Sequence, residues 1–239
     1  MNKIFSLTVV MIVICQLANG QALIASLEES DFLTLINRPT KVLLASGEEL
    51  TGKFGSGVLK FGYLDKITLK KDNGEKISLK PEDVVRLSIQ ASKMAKVSMM
   101  VSSAPSILAA TKRDFNEIKN REYIIFETAM RSNKKGTLRL MQLLNPGFDS
   151  KIKVFADPNA MTSSTLAVKG VQLAGGEDKS FLMVQNDSKA VVVRKATYAK
   201  NFEELYKACP EMVKNFSGSK VKWEDMAGHV FAFDQICKN

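Results

Sequence analysis

Histidine occurs once in this 239-residue chain, at His229, and that scarcity removes most of the familiar site chemistries. Zinc sites and Ser-His or Cys-His nucleophile pairs draw on imidazole, so one ring would have to serve any such reaction alone. Val230 and Phe231 follow it in an apolar helical stripe, and a surface or half-buried structural ring is the expectation. No HExxH, CxxC, GxSxG, P-loop or GxGxxG pattern occurs either. Gly52, Gly55, Gly57 and Gly62 lie close together, but in strand-like surroundings with no helix after them. They read as bulges and turns, not as a phosphate loop. The sequence therefore assigns no catalytic residue, no metal ligand and no cofactor.

Long apolar runs are equally scarce. The one that stands out is Ile4–Cys15, twelve residues preceded by Lys3 and followed by Ala18 and Gly20. This is the layout of a secretory signal peptide over residues 1–20, with cleavage expected before Gln21. A membrane-spanning helix needs about 20 apolar residues, and Gln16, Asn19 and Gln21 interrupt the run. Ile14 is too large for the small residue required before a lipidated cysteine. The expected location is secreted or periplasmic, with no transmembrane segment after signal removal. Of three cysteines, Cys15 leaves with the leader and Cys209 and Cys237 stay. A close pair in an exported chain reads as a disulfide.

Charge is plentiful and uneven. The formal net charge is +9, and residues 93–139 hold ten basic and four acidic residues. Residues 21–52 instead hold two basic and five acidic. The basic stretch reads first as a solvated surface and second as a site for anionic polysaccharide or lipid headgroups. Outside the cytosol, nucleic acid is the less available partner.

Short alternating segments dominate from Lys41 onward. Ile67 and Leu69 alternate with Thr68 and Lys70 before Asn73-Gly74, a strong hairpin turn, and Ile77 and Leu79 answer them. With Val42–Leu44, Leu50–Phe54 and Val84–Ile89 this makes five short strands, suited to a small bent barrel. Residues 91–120 form a bridge rich in Met and Ser. Helical pieces are expected on either side of Pro105, and Met94, Met99 and Met100 are expected to fill core gaps, with an adaptable binding surface as the alternative. Further strands are expected at 123–130, 137–144, 151–156, 180–184 and 190–194, joined by connections short enough for an antiparallel meander. At the end, Phe202, Leu205, Tyr206, Cys209, Met212, Val213 and Phe216 recur at helical spacing, with Asn201 and Glu204 as a candidate capping box. Pro210 leaves open one helix or two meeting near Cys209. Trp223, Met226, Ala227, Val230, Phe233 and Cys237 form a second stripe, so both cysteines face inward.

The expected class is α+β, mainly antiparallel β. Its parts are a lead-in at 21–40, a small barrel-like module at 41–90, the bridge at 91–120, and a meander with a helical hairpin at 121–239. Residues Leu43, Leu44, Gly47, Leu50, Gly52, Ile67, Leu69, Gly74, Ile77, Val84 and Leu87 resemble the pattern of SH3-like and Sm-like small barrels. Sm proteins carry an Asp and an Asn in a short loop after the second glycine; here Asp65 is present, but Lys66 and Thr68 stand where the Asn is wanted. The resemblance therefore implies a structural or peptide-binding barrel and argues against RNA. The whole chain is also similar to secreted bacterial proteins without an established activity. They join such a module to a β-rich middle and an Asn201-Phe202-Glu203-Glu204-Leu205-Tyr206…Cys209-Pro210 end.

The functional expectation is an exported, non-enzymatic protein with a structural or binding role, its partner a cell-envelope component or another protein. The alternatives are an envelope hydrolase using two loop carboxylates among Asp65, Asp72, Asp149, Asp157, Glu177 and Asp178, and a binder of anionic polymers through 93–139.

Overall fold

The computed structural model describes residues 22–104, 115–132, 136–160, 166–168, 171–174, 178–186, 188–216 and 221–237. The expected leader and its cleavage site, Pro105, Lys112, Arg113, Lys134, Lys135 and Glu177 lie outside them.

Strands β1 (Pro39–Leu44), β2 (Glu49–Lys60), β3 (Tyr63–Lys70), β4 (Lys76–Leu79) and β5 (Val84–Gln90) form where alternation and turn residues place them. Ile67 lies opposite Leu79 and Leu69 opposite Ile77, the register that the Asn73-Gly74 turn implies. These strands alone do not close a barrel. The ring is completed by β6 (Tyr123–Met130) and β7 (Leu138–Gln142). Its order is β2-β1-β5-β6-β7-β3, with β3 returning to β2 and β4 attached outside the ring. The six ring strands are antiparallel throughout. The barrel thus reaches past residue 90 because the bridge returns the chain to the free edge of β5. Strand β2 serves two neighbours, β1 at its start and β3 further on, and bends through irregular register at Phe54/Ser56 and Val58/Leu59.

The bridge supplies helices α1 (Lys93–Ser103) and α2 (Asn116–Asn120). Ser92 caps α1, its hydroxyl accepting from the Ala95 N–H at 2.9 Å. Ala95 and Met99 complete the barrel core with Val42, Phe54, Leu64 and Leu87. Met100 packs against that core half-buried, whereas Met94 points to solvent, so the core-filling expectation fails at that residue.

At Asn145 the chain leaves the barrel. This fully buried carboxamide donates to the carbonyls of Phe148 and Ile152 and accepts from the Val154 N–H, each at 2.8 Å. All its hydrogen-bonding groups but one lone pair are used, which fixes the corner into a second sheet. That sheet has β8 (Ile152–Ala156), β11 (Ser180–Gln185) and β12 (Val191–Arg194) in the order β12-β11-β8. A two-stranded hairpin, β9 (Leu166–Val168) with β10 (Val171–Ala174), precedes β11. The strands of the expected antiparallel meander pair antiparallel and are divided between two sheets.

Helices α3 (Tyr198–Leu205), α4 (Pro210–Phe216) and α5 (Met226–Ile236) pack on the second sheet. The first stripe is two helices, because Pro210 opens α4 at a position where its missing N–H is harmless. Asn201 lies inside α3, not at its start, so the expected capping box is not formed. Cys209 and Cys237 are bonded, with Cα atoms 5.5 Å apart, and tie the α4 start to the α5 end. Lys151 donates to the carbonyls of Asp234 and Cys237, placing a cation on the last turn of α5. No helix among the described residues is long and apolar enough to cross a membrane.

Tyr63, Met141 and Leu143 join the barrel wall to Phe155, Leu182 and Val184 of the second sheet. Ions reinforce the junction. Glu127 is buried and accepts from Arg86 Nε at 2.6 Å and pairs with Lys153 Nζ at 2.7 Å. Arg86 also meets Asp149 at 3.2 Å.

Candidate functional site

The thinnest seam of the barrel lies between β3 and β7, where Leu64 opposite Leu140 is the one register pair. Most of the remaining β3 edge is taken by β4. Beyond that pair the lead-in segment occupies the β7 edge. The Gln142 carboxamide acts as a spare strand, accepting from the Leu27 N–H at 2.8 Å and donating to the Ala25 carbonyl at 3.2 Å. The Ile24 N–H reaches the Leu144 carbonyl at 2.9 Å. A cavity of about 80 Å³ remains, lined on its apolar side by Phe32, Phe126 and Met141 and on its polar side by Tyr63, Gln142 and Asp157.

The mouth is built by a two-residue turn. Phe61 and Gly62 join β2 to β3 with φ of +54° and +78°, as a hairpin of this length requires. A Cβ on Gly62 would stand 2.3 Å from Pro158 Cβ, so glycine is needed both for conformation and for room. Phe61 beside it is 73% exposed, an unusual aromatic in left-handed backbone.

Tyr63 follows the turn and is 2% exposed; its hydroxyl makes no hydrogen bond of good geometry, although the Asn159 side chain is near enough to interact with it. Its ring lies between two guanidinium groups, Arg131 at 5.6 Å and Arg139 at 5.7 Å from the centroid. Burial raises the phenol's pKa; Arg131 opposes this, Asp157 adds to it, and Arg139 and the Asn159 side chain oppose it. The group stays a neutral donor at physiological pH. A buried hydroxyl without a well-formed hydrogen bond carries a desolvation penalty of about 1–3 kcal/mol that a ligand atom can relieve.

The candidate carboxylates divide. Asp65 pairs with Arg139 at 3.3 Å, and Asp72 is exposed in the β3–β4 turn. Asp149 joins the Arg86 cluster, its carboxyl raised by burial. Asp157 is buried in the cavity wall, accepting from the Ser180 hydroxyl at 2.8 Å and the Asn159 N–H at 3.0 Å. Asp178 is raised by burial first and by Asp157 second, so these two lie within electrostatic reach.

His229 is neither on the surface nor half-buried; it is 4% exposed among aromatic rings. Among the described residues, the basic side chains of 93–139 fall at separate places. Arg131 and Arg139 flank Tyr63, while Lys93, Lys96 and Lys119 belong to α1 and α2, with Lys96 donating to the Lys119 carbonyl at 2.8 Å. Neither Tyr63 nor Gln142 stands out from sequence pattern. The available signal was Phe61-Gly62 between two strand-like runs, a hairpin turn with a bulky residue where Asn or Asp is usual.

Fold and site define an antiparallel six-stranded barrel with a small amphiphilic cleft at its weakest seam. Comparison with protein-family models, curated proteins and solved structures finds no match for the chain.

Proposed function

We propose that this is an exported, non-enzymatic protein with a binding role at the cell envelope, acting through the cleft beside Tyr63. The observation that carries the reading is that Tyr63, whose buried hydroxyl lacks a hydrogen bond of good geometry, is one of the residues lining the cavity. A small preformed hollow lined by both apolar and polar groups can hold and orient a partner's side group. The Cys209–Cys237 bond fits an oxidising compartment outside the cytosol. The partner is an envelope component or another protein that inserts a small group into the hollow.

Replacing Phe61 with photoreactive p-benzoylphenylalanine places a crosslinker at the mouth. Illumination of the exported protein in intact envelopes is expected to yield a discrete adduct whose amount falls when Tyr63→Ala is added. Absence of any adduct, or an adduct indifferent to Tyr63, overturns the reading.

A second reading, a carboxylate hydrolase, has one observation in its favour: the Asp178 carboxyl, raised first by burial and then by Asp157, lies within electrostatic reach of that second carboxylate. An acid beside a base is the pairing such hydrolysis uses. It requires a measurable activity that Asp157→Asn and Asp178→Asn both abolish while the fold is retained.

A further inference from the structure

Helix α1 is apolar on two opposite sides. Ala95 and Met99 are buried in the barrel core, yet Met94, Val97 and Val101 are 65%, 47% and 65% exposed. At about 100° per residue these three fall within about 60° of one another, forming one solvent-facing stripe. Leu33, 72% exposed, belongs to the 3-10 turn at Glu29–Leu35 that packs on the same helix. That turn is pinned by the Ser98 hydroxyl donating to Asp31 at 2.9 Å and the Ser92 hydroxyl to Thr34 at 3.0 Å. A grouped set of exposed apolar side chains marks an interaction surface.

Charge selects the partner. Among the described residues, α1 itself carries two lysines, Lys93 and Lys96, and no aspartate or glutamate. Lys93 is exposed and falls about 40° from Val97 around the helix. Lys96, about 100° from Val97, turns instead toward α2 and donates to the Lys119 carbonyl. Glu28 and Glu29 at the start of the 3-10 turn are exposed too, and are the acidic groups this face must keep clear of negative charge. A helix with an apolar stripe bordered by lysine is the arrangement that lies in an anionic lipid interface. With 11 residues, α1 is far too short to span a bilayer, so it lies on the surface.

We propose that the Met94–Val97–Val101 face docks on an anionic bilayer surface. The three side chains enter the headgroup–acyl boundary, and Lys93 meets lipid phosphates. This face and the Tyr63 cleft meet at the 3-10 turn, where Phe32 lines the cleft and Leu33 is exposed, but the proposal does not rest on the cleft.

Cosedimentation with phosphatidylcholine vesicles containing or lacking phosphatidylglycerol tests the proposal. Wild type and variants are taken from the exported fraction with the same N-terminus, so any leader contributes equally. Wild type is expected to bind the anionic vesicles, and the M94S/V97S/V101S chain to bind them at least about tenfold more weakly. Lys93→Gln is expected to weaken binding about fivefold. Unchanged circular dichroism and melting confirm that these surface substitutions leave the fold intact. Lack of vesicle binding by wild type, or equal binding by the triple variant, overturns the proposal. So does a self-association in solution that the triple variant abolishes, since a second copy would then own the face.

Discussion

The Tyr198 hydroxyl stands 2.8 Å from Nδ1 of His229 and 3.1 Å from the Tyr206 hydroxyl, with all three groups buried. Burial pushes the His229 pKa down from 6.5 to about 4 and holds both phenols above their ordinary range, Tyr198 well above it. A neutral ring bonded through Nδ1 therefore completes the chain of bonds. Between pH 6.5 and about 4 the unfolded chain binds the extra proton and the folded chain does not. Stability is then expected to fall as pH drops through that window, by up to about 3 kcal/mol. Asp149 and Asp178, raised by burial, act in the opposite direction. Denaturant melts of wild type and His229→Phe at several pH values isolate the ring; the variant should lose the steep acid limb, and parallel profiles would remove His229 as its source.

Breaking the Cys209–Cys237 bond opens a loop spanning 28 positions. Chain entropy sets the expected loss at about 3.5 kcal/mol. The non-reduced mass should be lower than the reduced mass by two hydrogens, and the Cys209→Ala/Cys237→Ala chain should melt well below wild type. Identical masses would show that the thiols are free.

Gly62→Ala and Gly74→Ala separate two effects. Both glycines have positive φ, but a Cβ at 74 meets nothing within 4 Å whereas one at 62 meets Pro158 at 2.3 Å. Gly74→Ala is expected to lose about 1 kcal/mol from backbone strain and Gly62→Ala roughly 3 kcal/mol, measured by urea denaturation. Equal losses would mean that Pro158 yields.

Tyr63→Phe removes the poorly bonded hydroxyl and keeps the ring between Arg131 and Arg139. The free protein should therefore gain stability, by about 1 kcal/mol, seen as a raised melting temperature. A destabilised variant would show that the hydroxyl is satisfied in the unliganded protein.

Local rules made much of this architecture legible. Asn73-Gly74 set the β3–β4 register, and helical phase put Cys209 and Cys237 on facing stripes. What escaped were relationships between distant segments. Nothing local says that Phe126 and Leu140 share an interior with Val42, or that Gln142 clasps residues 25–27. Asn201 resembled a cap because its neighbour Glu204 fitted the spacing, but the preceding Tyr198 is drawn into the aromatic core and carries the helix start with it. Met94 resembled Met99 in composition, and only the direction of the core distinguishes them. The cleft was hidden for the same reason: its walls come from the lead-in, the β2–β3 hairpin, β7 and the end of β8.

A ring shared between residues 39–90 and 123–142 also dictates an order of events during synthesis. While the first 90 residues are emerging, β5 has an open edge, as does the part of β3 that later faces β7. Open edges of this kind invite pairing with other chains. Closure waits for Leu140 to reach Leu64, across 76 positions of sequence. The interval before β7 arrives is therefore when the nascent chain is most exposed to aggregation, and sequestering the β5 edge at that stage protects it more than any later assistance.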